Sequence, residues 1–211
     1  MKKILALACV AAVLGSALWG ADTASAAKKN AEGVTVTSDY AAKKQALYST
    51  VGEITEIDGN IVTVEGEGYY DCVKALLRSR TYLVQAEGGR TVNRSDLQPG
   101  DKVTVYYEPY ASRSIPPQVQ CAALILGEAK EGRCVFYPVA SVKIVGDKAT
   151  KGSYAVLENT AGDLVATVTE FALEDYDEIE AGDNLLLWYE IQTMSIPART
   201  NASKAVRLSQ K

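Results

Sequence analysis

The sequence predicts an all-β protein that consists of two tandem, divergent, small antiparallel barrel-like modules behind a cleaved signal peptide. The first observation is an internal duplication: residues 100–108 hold a Gly-Asp pair, a largely apolar run and an aromatic-Tyr-Glu ending, and residues 182–190 repeat this order. The second observation is that short β-branched and aromatic runs alternate with Gly-rich turns along both halves. Closure into a barrel is one way in which short strands hide their hydrogen-bonding edges.

The repeated motif extends past its strand. Ser-Ile-Pro follows at residues 114–116 and again at residues 195–197, after a second loop that is one residue shorter. Gly100 and Gly182 accept a positive φ, and the aspartate after each can bind backbone N–H groups in the bend. Proline fixes its own φ and keeps the residue before it extended. These properties favour a structural interpretation, in which a bend, a strand, a crossing loop and a return strand occur twice.

Turn signals place several of the strands. Asp58-Gly59-Asn60 separates two β-branched runs, a pattern typical of a hairpin. Residues 70–77 fit a further strand, and a helix over residues 71–80 is the alternative, because the apolar residues of this segment also fit helical spacing.

The N-terminus has the three parts of a secretory signal. Lysines at positions 2 and 3 precede an uncharged apolar run over residues 4–20, and small residues at 24–26 offer a cleavage site. A retained membrane anchor is the alternative, although about 17 apolar residues is short for a membrane span. We therefore expect a secreted protein, extracellular or in the cell envelope, with no stable membrane span after cleavage.

The chain divides into four segments. Residues 1–26 form the predicted signal peptide, and residues 27–48 form an N-terminal segment with a candidate strand at 34–37 and a short helix. The first β-module spans residues 49–128 and the second spans residues 133–211. The early strand either completes its own sheet or is donated to a neighbouring subunit. Donation would give self-association and a surface fibre.

The charge of the chain argues against a nucleic-acid partner. The sequence has 22 basic and 26 acidic residues, and without residues 1–26 it keeps 20 and 25, a net charge of −5. Nucleic-acid and anionic-membrane binding both require excess positive charge. The chain also has no histidine, which removes the commonest general base and the Ser-His and Cys-His nucleophile pairs. We therefore expect a protein that is not an enzyme.

Aromatic and charged residues around the repeated motif form a candidate ligand surface. Rigid aromatic area binds sugars or peptides with little loss of conformational entropy. The candidate residues are Tyr106, Tyr107, Glu108, Tyr110, Arg113, Trp188 and Tyr189. The alternative is that these aromatic rings pack in the barrel interior or at its rim.

Two further features are a candidate metal site and a candidate disulfide. An acidic run before the second Gly-Asp bend gives hard oxygen ligands and predicts a weak calcium site at Asp175, Asp177, Glu178 and Asp183. The alternative is a solvated acidic loop, and no other cofactor is predicted. Of the cysteines after residue 26, Cys121 and Cys134 flank a turn and could form a disulfide, or both could be buried free thiols, with Cys72 left over.

The first motif resembles a known family. Gly100-Asp101-x-Val103-x-Val105-Tyr106-Tyr107 with Ser114-Ile115-Pro116-Pro117-Gln118 is similar to a β-rich, OB-like domain of secreted and cell-envelope proteins from Gram-positive-type bacteria. That domain often accompanies copper amine oxidase N-terminal-like repeats. The resemblance covers residues 51–126 and, more weakly, the second module from residue 182, where Ala198 replaces the second proline. It implies an extracellular location and no known activity.

These observations together predict a secreted, non-catalytic binding or structural protein of the cell envelope. Its partner would be a cell-wall polysaccharide or another envelope protein. The first alternative is a surface-fibre subunit that uses the strand at 34–37. The second alternative is a carboxylate-dependent hydrolase, which would need two acidic groups across a cleft.

Overall fold

The computed structural model describes residues 46–147 and 152–209, and within these residues the chain is all-β. Twelve strands form two six-stranded sheets in the described residues, one in each half of the chain. The fold class predicted from the sequence is therefore confirmed. The predicted signal peptide, the candidate strand at 34–37 and most of the predicted short helix lie outside the described residues. Tyr48, the last residue of the predicted N-terminal segment, instead begins the first strand.

The first module is a closed barrel with OB-like connectivity. Its strands are β1 (Tyr48–Asp58), β2 (Ile61–Gly68), β3 (Cys72–Leu76), β4 (Tyr82–Gln85), β5 (Lys102–Ala111) and β6 (Gln118–Leu126). The sheet order is β3-β2-β1-β5-β6-β4, and a parallel contact between β3 and β6 closes five of these strands into a barrel. The additional strand β4 lies parallel to β6. A short 3-10 helix at Arg94–Asp96 precedes the Gly-Asp bend.

The second module is a curled sheet of related design. Its strands are β7 (Arg133–Val145), β8 (Tyr154–Asn159), β9 (Leu164–Thr169), β10 (Asn184–Tyr189), β11 (Ala198–Asn201) and β12 (Lys204–Leu208), with a 3-10 helix at Tyr176–Glu178. The order is β11-β9-β8-β7-β10-β12, with β11 parallel to β9 and β12 antiparallel to β10. The two edge strands, β11 and β12, are separated in the chain by residues 202 and 203 alone. The sheet is therefore curled far enough to bring its two edges close together.

The first Gly-Asp bend, which precedes β5, is hydrogen bonded to β1. Gly100 has a φ of +92°, and its N–H donates to the carbonyl of Ile54 at 2.7 Å. The N–H of Ile54 in turn donates to the carbonyl of Asp101 at 2.9 Å. The carboxylate of Asp101 accepts a hydrogen bond from the N–H of Gln98 at 2.8 Å, which closes the bend.

The second bend repeats this arrangement against β7. Gly182 has a φ of +99°, and its N–H donates to the carbonyl of Val139 at 2.9 Å. The N–H of Val139 donates to the carbonyl of Asp183 at 2.8 Å, and the Asp183 carboxylate accepts from the N–H of Glu180 at 3.0 Å. The two glycines therefore have equivalent surroundings, as expected of a duplicated unit.

Three apolar clusters hold the fold together. The core of the first module contains mainly aliphatic residues of β1, β2, β3, β5 and β6, including Ile54, Val64, Val73, Val105 and Leu124. The core of the second module includes Tyr137, Leu157, Val168, Leu185 and Leu187. A third cluster lies between the modules and joins Val84, Ala86, Ala123 and Ile125 to Phe136, Leu186 and Trp188.

β10 is buried on both faces. Leu185, Leu187 and Tyr189 belong to the core of the second module, whereas Leu186 and Trp188 pack in the cluster between the modules. A strand with one wet face would alternate apolar and polar residues, whereas a strand covered on both faces reads as a continuous apolar run. This explains why residues 185–189 show no alternation.

Candidate functional site

The loop after β5 is held by the hydroxyl groups of its own serines. Ser112 Oγ lies 2.7 Å from Ser114 Oγ, and Ser114 Oγ donates to the carbonyl of Pro116 at 2.8 Å. The N–H of Gln118 donates to Ser112 Oγ at 2.8 Å, and the N–H of Ser112 donates to the Gln118 carbonyl at 2.9 Å. The loop is therefore closed on itself before β6 begins.

The loop after β10, residues 190–197, repeats this frame with threonine in the first position. Thr193 Oγ1 lies 2.7 Å from Ser195 Oγ, which donates to the carbonyl of Pro197 at 2.8 Å. The N–H of Arg199 donates to Thr193 Oγ1 at 2.8 Å, and the N–H of Thr193 donates to the Arg199 carbonyl at 2.9 Å. The peptide bonds before Pro116 and Pro197 are both cis. The duplication thus includes the side-chain hydrogen bonds of the loops.

Large aliphatic side chains project from these two loops into solvent. Ile196 is 97% exposed, and Ile115 at the equivalent position is 100% exposed. Loop 190–197 also carries Met194, which is 98% exposed, and Ile191, which is 80% exposed. These side chains take no part in the hydroxyl hydrogen bonds that fix the two loops. The shape of the loops therefore does not explain why the side chains are apolar. Grouped apolar side chains on a surface are typical of interaction sites.

Loop 190–197 forms one wall of a cleft of about 1060 Å³, which we call the loop cleft. Its floor includes Val165 and Thr167 on β9 and Arg199 on β11, residues that face outward from the second module. Ile191 and Met194 line the wall. The cleft therefore combines an aliphatic wall with a polar floor that is part of the sheet.

Arg199 contributes to the loop cleft in two ways. Its backbone closes the frame of loop 190–197, which fixes the position of the residue. Its exposed guanidinium makes no hydrogen bond or ion pair with any residue in the described parts of the chain. Among the described residues that line the cleft, Glu190 carries the one carboxylate, and it does not pair with Arg199. Both charges are available to a ligand.

A smaller pocket of about 240 Å³ adjoins the loop cleft, since Gln192 lines both. The Tyr189 hydroxyl donates to Gln192 Oε1 at 3.1 Å. Tyr106 reaches this pocket from the first module, with its ring centroid 5.8 Å from that of Phe136. Burial raises the pKa of Tyr106 well above its usual value, so the phenol keeps its proton even in alkaline solution. The pocket is thus built by both modules.

Three of the predicted ligand residues, Tyr107, Trp188 and Tyr189, are packed inside the protein. Tyr107 is fully buried, and its hydroxyl lies 2.9 Å from Thr50 Oγ1. Trp188 is 7% exposed, and its indole N–H donates to the carbonyl of Ala86 at 2.9 Å. Tyr189 is 4% exposed and belongs to the core of the second module. The prediction of a ligand surface is therefore corrected at these three positions, because the side chains fill a barrel core, the interface between the modules and the core of the second module.

The other predicted ligand residues fall into two places. Tyr106 lines the smaller pocket, to which the buried Tyr189 also contributes. Tyr110 is 76% exposed at the end of β5, Arg113 is exposed in the loop that follows, and Glu108 is half-buried. The candidate surface is therefore divided between the junction of the modules and the loop of the first module.

Sequence reasoning missed the residues that form the loop cleft. Ile191, Met194 and Arg199 were not among the predicted ligand residues, because the prolines of the repeated motif favoured a structural interpretation of the loop. A signal was present. Apolar residues that follow the end of a buried strand within a proline-containing loop have no core to join, and so they are candidates for a surface contact.

Two of the four predicted calcium ligands, Asp175 and Asp183, lie beside an arginine. Arg207 Nη1 lies 3.8 Å from Asp175 Oδ2, and Arg207 Nε lies 3.5 Å from Asp183 Oδ2. In the part of the chain that the structure describes, no group of three or more carboxylate and thiol side chains is placed to hold a metal ion. The prediction of a calcium site at Asp175, Asp177, Glu178 and Asp183 is corrected, because a guanidinium supplies the positive charge there.

The predicted disulfide is not formed. Cys72, Cys121 and Cys134 are all free thiols. Cys121 faces the core of the first module, whereas Cys134 packs against the cluster between the modules. Burial raises the pKa of Cys121, and it raises the pKa of Cys134 to about 12. Both thiols are protonated at neutral pH and so are weak nucleophiles.

No model of a known protein family matches the chain, and no curated protein sequence matches it significantly. Across residues 46–147 and 152–209, the structure contains no helix that is long and apolar enough to cross a membrane.

Proposed function

We propose that the chain is a secreted, non-catalytic binding protein of the cell envelope or extracellular space, and that it binds its partner at the loop cleft. The partner is a polymer of the envelope, either a cell-wall polysaccharide or a segment of another envelope protein. Export is inferred from residues 1–26, whose charged start, apolar run and small residues have the pattern of a signal peptide.

One observation carries this proposal. Ile191, Met194 and Ile196 are each at least 80% exposed on a loop whose backbone is fixed by its own hydroxyl groups. A fixed loop presents these side chains with little entropy left to lose on binding. Exposed apolar area beside a concave cleft is the usual arrangement of a ligand site.

The position of the cleft in the fold supports the same proposal. In OB-like barrels, polymeric ligands lie across the second and third strands and against the loop between the fourth and fifth strands. In the second module, the third strand is β9, and loop 190–197 joins the fourth strand to the fifth. The loop cleft lies at this place, an argument by analogy of fold.

The chemistry of the cleft favours binding over hydrolysis. A glycosidase places two carboxylates on either side of the bond that it cleaves. Among the described lining residues, the carboxylate of Glu190 has no second carboxylate to act with it. Hydroxyl, amide and guanidinium groups account for the other polar atoms of the cleft, and these hold a ligand by hydrogen bonds.

The proposal is tested with the mature protein, residues 27–211, on an array of bacterial glycans and an array of immobilised hexapeptides. The test variant replaces Ile191, Met194 and Ile196 with serine. The matched control is Phe171→Ser, which removes a 90% exposed apolar side chain from another loop of the same module. We expect wild type and Phe171→Ser to bind the same probes, whereas the triple variant should no longer bind these probes. Equal binding by the triple variant would refute the proposal.

The same preparation tests the two alternatives. Size-exclusion chromatography and negative-stain microscopy would reveal polymers if the strand at 34–37 is donated between subunits. Release of reducing ends from the bound glycans, abolished by Glu190→Gln, would support the hydrolase alternative instead.

A further inference from the structure

We infer that the ligand of the loop cleft is an extended segment of another protein, in which a carboxylate lies close to an aliphatic side chain and is bound by Arg199. This inference rests on the proposed function and chooses between the two polymers named there. It follows from two independent features of the cleft, its aliphatic wall and a guanidinium that has no partner among the described residues.

The wall of the cleft favours a protein segment over a polysaccharide. Sugar rings are bound by flat aromatic faces, and no aromatic side chain occurs among the described residues that line the loop cleft. The wall instead offers Ile191 and Met194, which are almost fully exposed. The flexible thioether of methionine adapts to aliphatic side chains of different shapes. A leucine, isoleucine or valine of the partner would therefore be covered by this wall.

The floor of the cleft favours a carboxylate. The guanidinium of Arg199 has no partner among the described residues, while hydrogen bonds to Thr193 hold its backbone on both sides. A guanidinium binds a carboxylate through two parallel hydrogen bonds, a geometry that an amide or hydroxyl partner does not reproduce. The charge that complements this position is negative.

The presence of Glu190 also favours a peptide as the ligand of the loop cleft. Its carboxylate lines the same cleft, lies within the exposed surface and does not neutralise Arg199. A ligand that is negative throughout, such as an acidic polysaccharide, would be repelled by this group. A peptide carries backbone N–H donors as well as a carboxylate, so it can satisfy both charged residues.

The inference is tested by fluorescence anisotropy with the mature protein and labelled hexapeptides that contain one Leu and one Glu at varied spacing in a Gly/Ser background. Matched peptides carry Gln in place of Glu, or Ser in place of Leu. Labelled polygalacturonate serves as the acidic polysaccharide. The protein variants are Arg199→Gln, Arg199→Lys and, as a control, Arg113→Gln, which removes an exposed arginine from the first module.

We expect the Leu/Glu peptides to bind more tightly than either matched peptide. Arg199→Gln should weaken the Leu/Glu peptides by about tenfold or more, as expected for loss of a charge-assisted hydrogen bond, and should leave the Leu/Gln peptides unchanged. Arg199→Lys should restore part of the affinity, and Arg113→Gln should behave as wild type.

Three results would overturn the inference: equal weakening of the Glu and Gln peptides by Arg199→Gln, binding of polygalacturonate alone, or binding of no peptide. Its failure is distinguishable from that of the proposed function. If the triple serine variant loses binding while Arg199→Gln does not, the cleft is the binding site and the inferred partner is wrong. If the triple serine variant binds as wild type does, the proposed function itself fails.

Discussion

The indole N–H of Trp188 donates a 2.9 Å hydrogen bond to the backbone carbonyl of Ala86, 102 residues earlier in the chain, and this bond joins the two modules. Around it, Lys204 Nζ lies 4.9 Å from the centroid of the Trp188 ring and donates to the carbonyl of Gly88 at 3.1 Å. Because this contact is apolar, buried and hydrogen bonded, we expect the modules to unfold together in a single transition.

Replacing Trp188 with phenylalanine tests this contact. The change keeps an aromatic ring but removes the N–H, so the buried carbonyl of Ala86 loses its donor. We expect a loss of about 1–3 kcal/mol in the free energy of unfolding, measured by urea denaturation. The control Phe171→Ala, at an exposed position, should cost less than about 0.5 kcal/mol. A change in Trp188→Phe as small as in the control would mean that the contact contributes little.

The fit at the interface is tested by a pair of neighbouring glycines. Gly88 and Gly89 have φ values of +80° and +78°, so alanine at either position is strained to a similar extent. A Cβ at Gly89 would lie 2.8 Å from Trp188 Cη2, whereas a Cβ at Gly88 would have no atom within 4 Å. We expect Gly89→Ala to be less stable than Gly88→Ala by about 1–3 kcal/mol in thermal or urea unfolding. Equal stabilities would contradict the close packing of the modules.

The barrel of the first module contains a buried hydrogen bond that can be removed without changing volume. Thr50 Oγ1 donates to the carbonyl of Tyr70 at 2.8 Å, so it accepts from the Tyr107 hydroxyl at 2.9 Å. Tyr107→Phe should therefore lower the free energy of unfolding by about 1 kcal/mol. Thr50→Val should cost more, because it removes both bonds and leaves the buried Tyr107 hydroxyl and the partly buried Tyr70 carbonyl without these partners. The reverse order would contradict this assignment of donors.

The stability of the protein should fall in alkaline solution. Desolvation by burial raises the pKa of Cys134 to about 12 from its ordinary value of 9.0, and the nearby Lys204 offsets this in part. Above pH 9 the thiol loses its proton in the unfolded chain before it does so in the folded protein. The contribution of this thiol to the free energy of unfolding is therefore complete below pH 9 and is lost progressively between pH 9 and about pH 12. Cys134→Ser should make the decline shallower by less than about 1.4 kcal/mol per pH unit, since the residue is only half-buried. Identical pH profiles of stability for wild type and Cys134→Ser would contradict this assignment.

Calcium should not stabilise the protein. Arg207 already lies between Asp175 and Asp183, so these carboxylates have a positive partner. We expect the melting temperature to be the same with millimolar calcium and with a chelator. A rise that Asp183→Asn abolishes would restore the calcium site predicted from the sequence.

The features that could be predicted are those set by local chemistry. A glycine with positive φ followed by a capping aspartate forms the same bend wherever it occurs, so Gly100 and Gly182 could be recognised as equivalent from the sequence. The hairpin at residues 58–60 was also predicted correctly, because Gly59 lies in the turn between β1 and β2.

Features that depend on distant partners could not be predicted. Residues 71–80 fitted a helix as well as a strand, and β3 forms at Cys72–Leu76 because β2 and β6 pair with its two edges. The interface of the modules had one signal, the unbroken apolar run at 185–189, but nothing in the sequence shows that the first module covers its outer face. The loop cleft was missed for a similar reason, since it is formed by a loop and by strands about 25 residues apart.

Met194 gives the most direct test of the central claim, that loop 190–197 is the binding surface. It is the one methionine that remains after residues 1–26 are removed, and it is 98% exposed. Exposed methionine is readily oxidised to the sulfoxide, which mass spectrometry measures by its added oxygen. We predict that a peptide or glycan bound by the mature protein slows oxidation of Met194 by peroxide in proportion to occupancy. An unchanged oxidation rate at saturating ligand would contradict the claim.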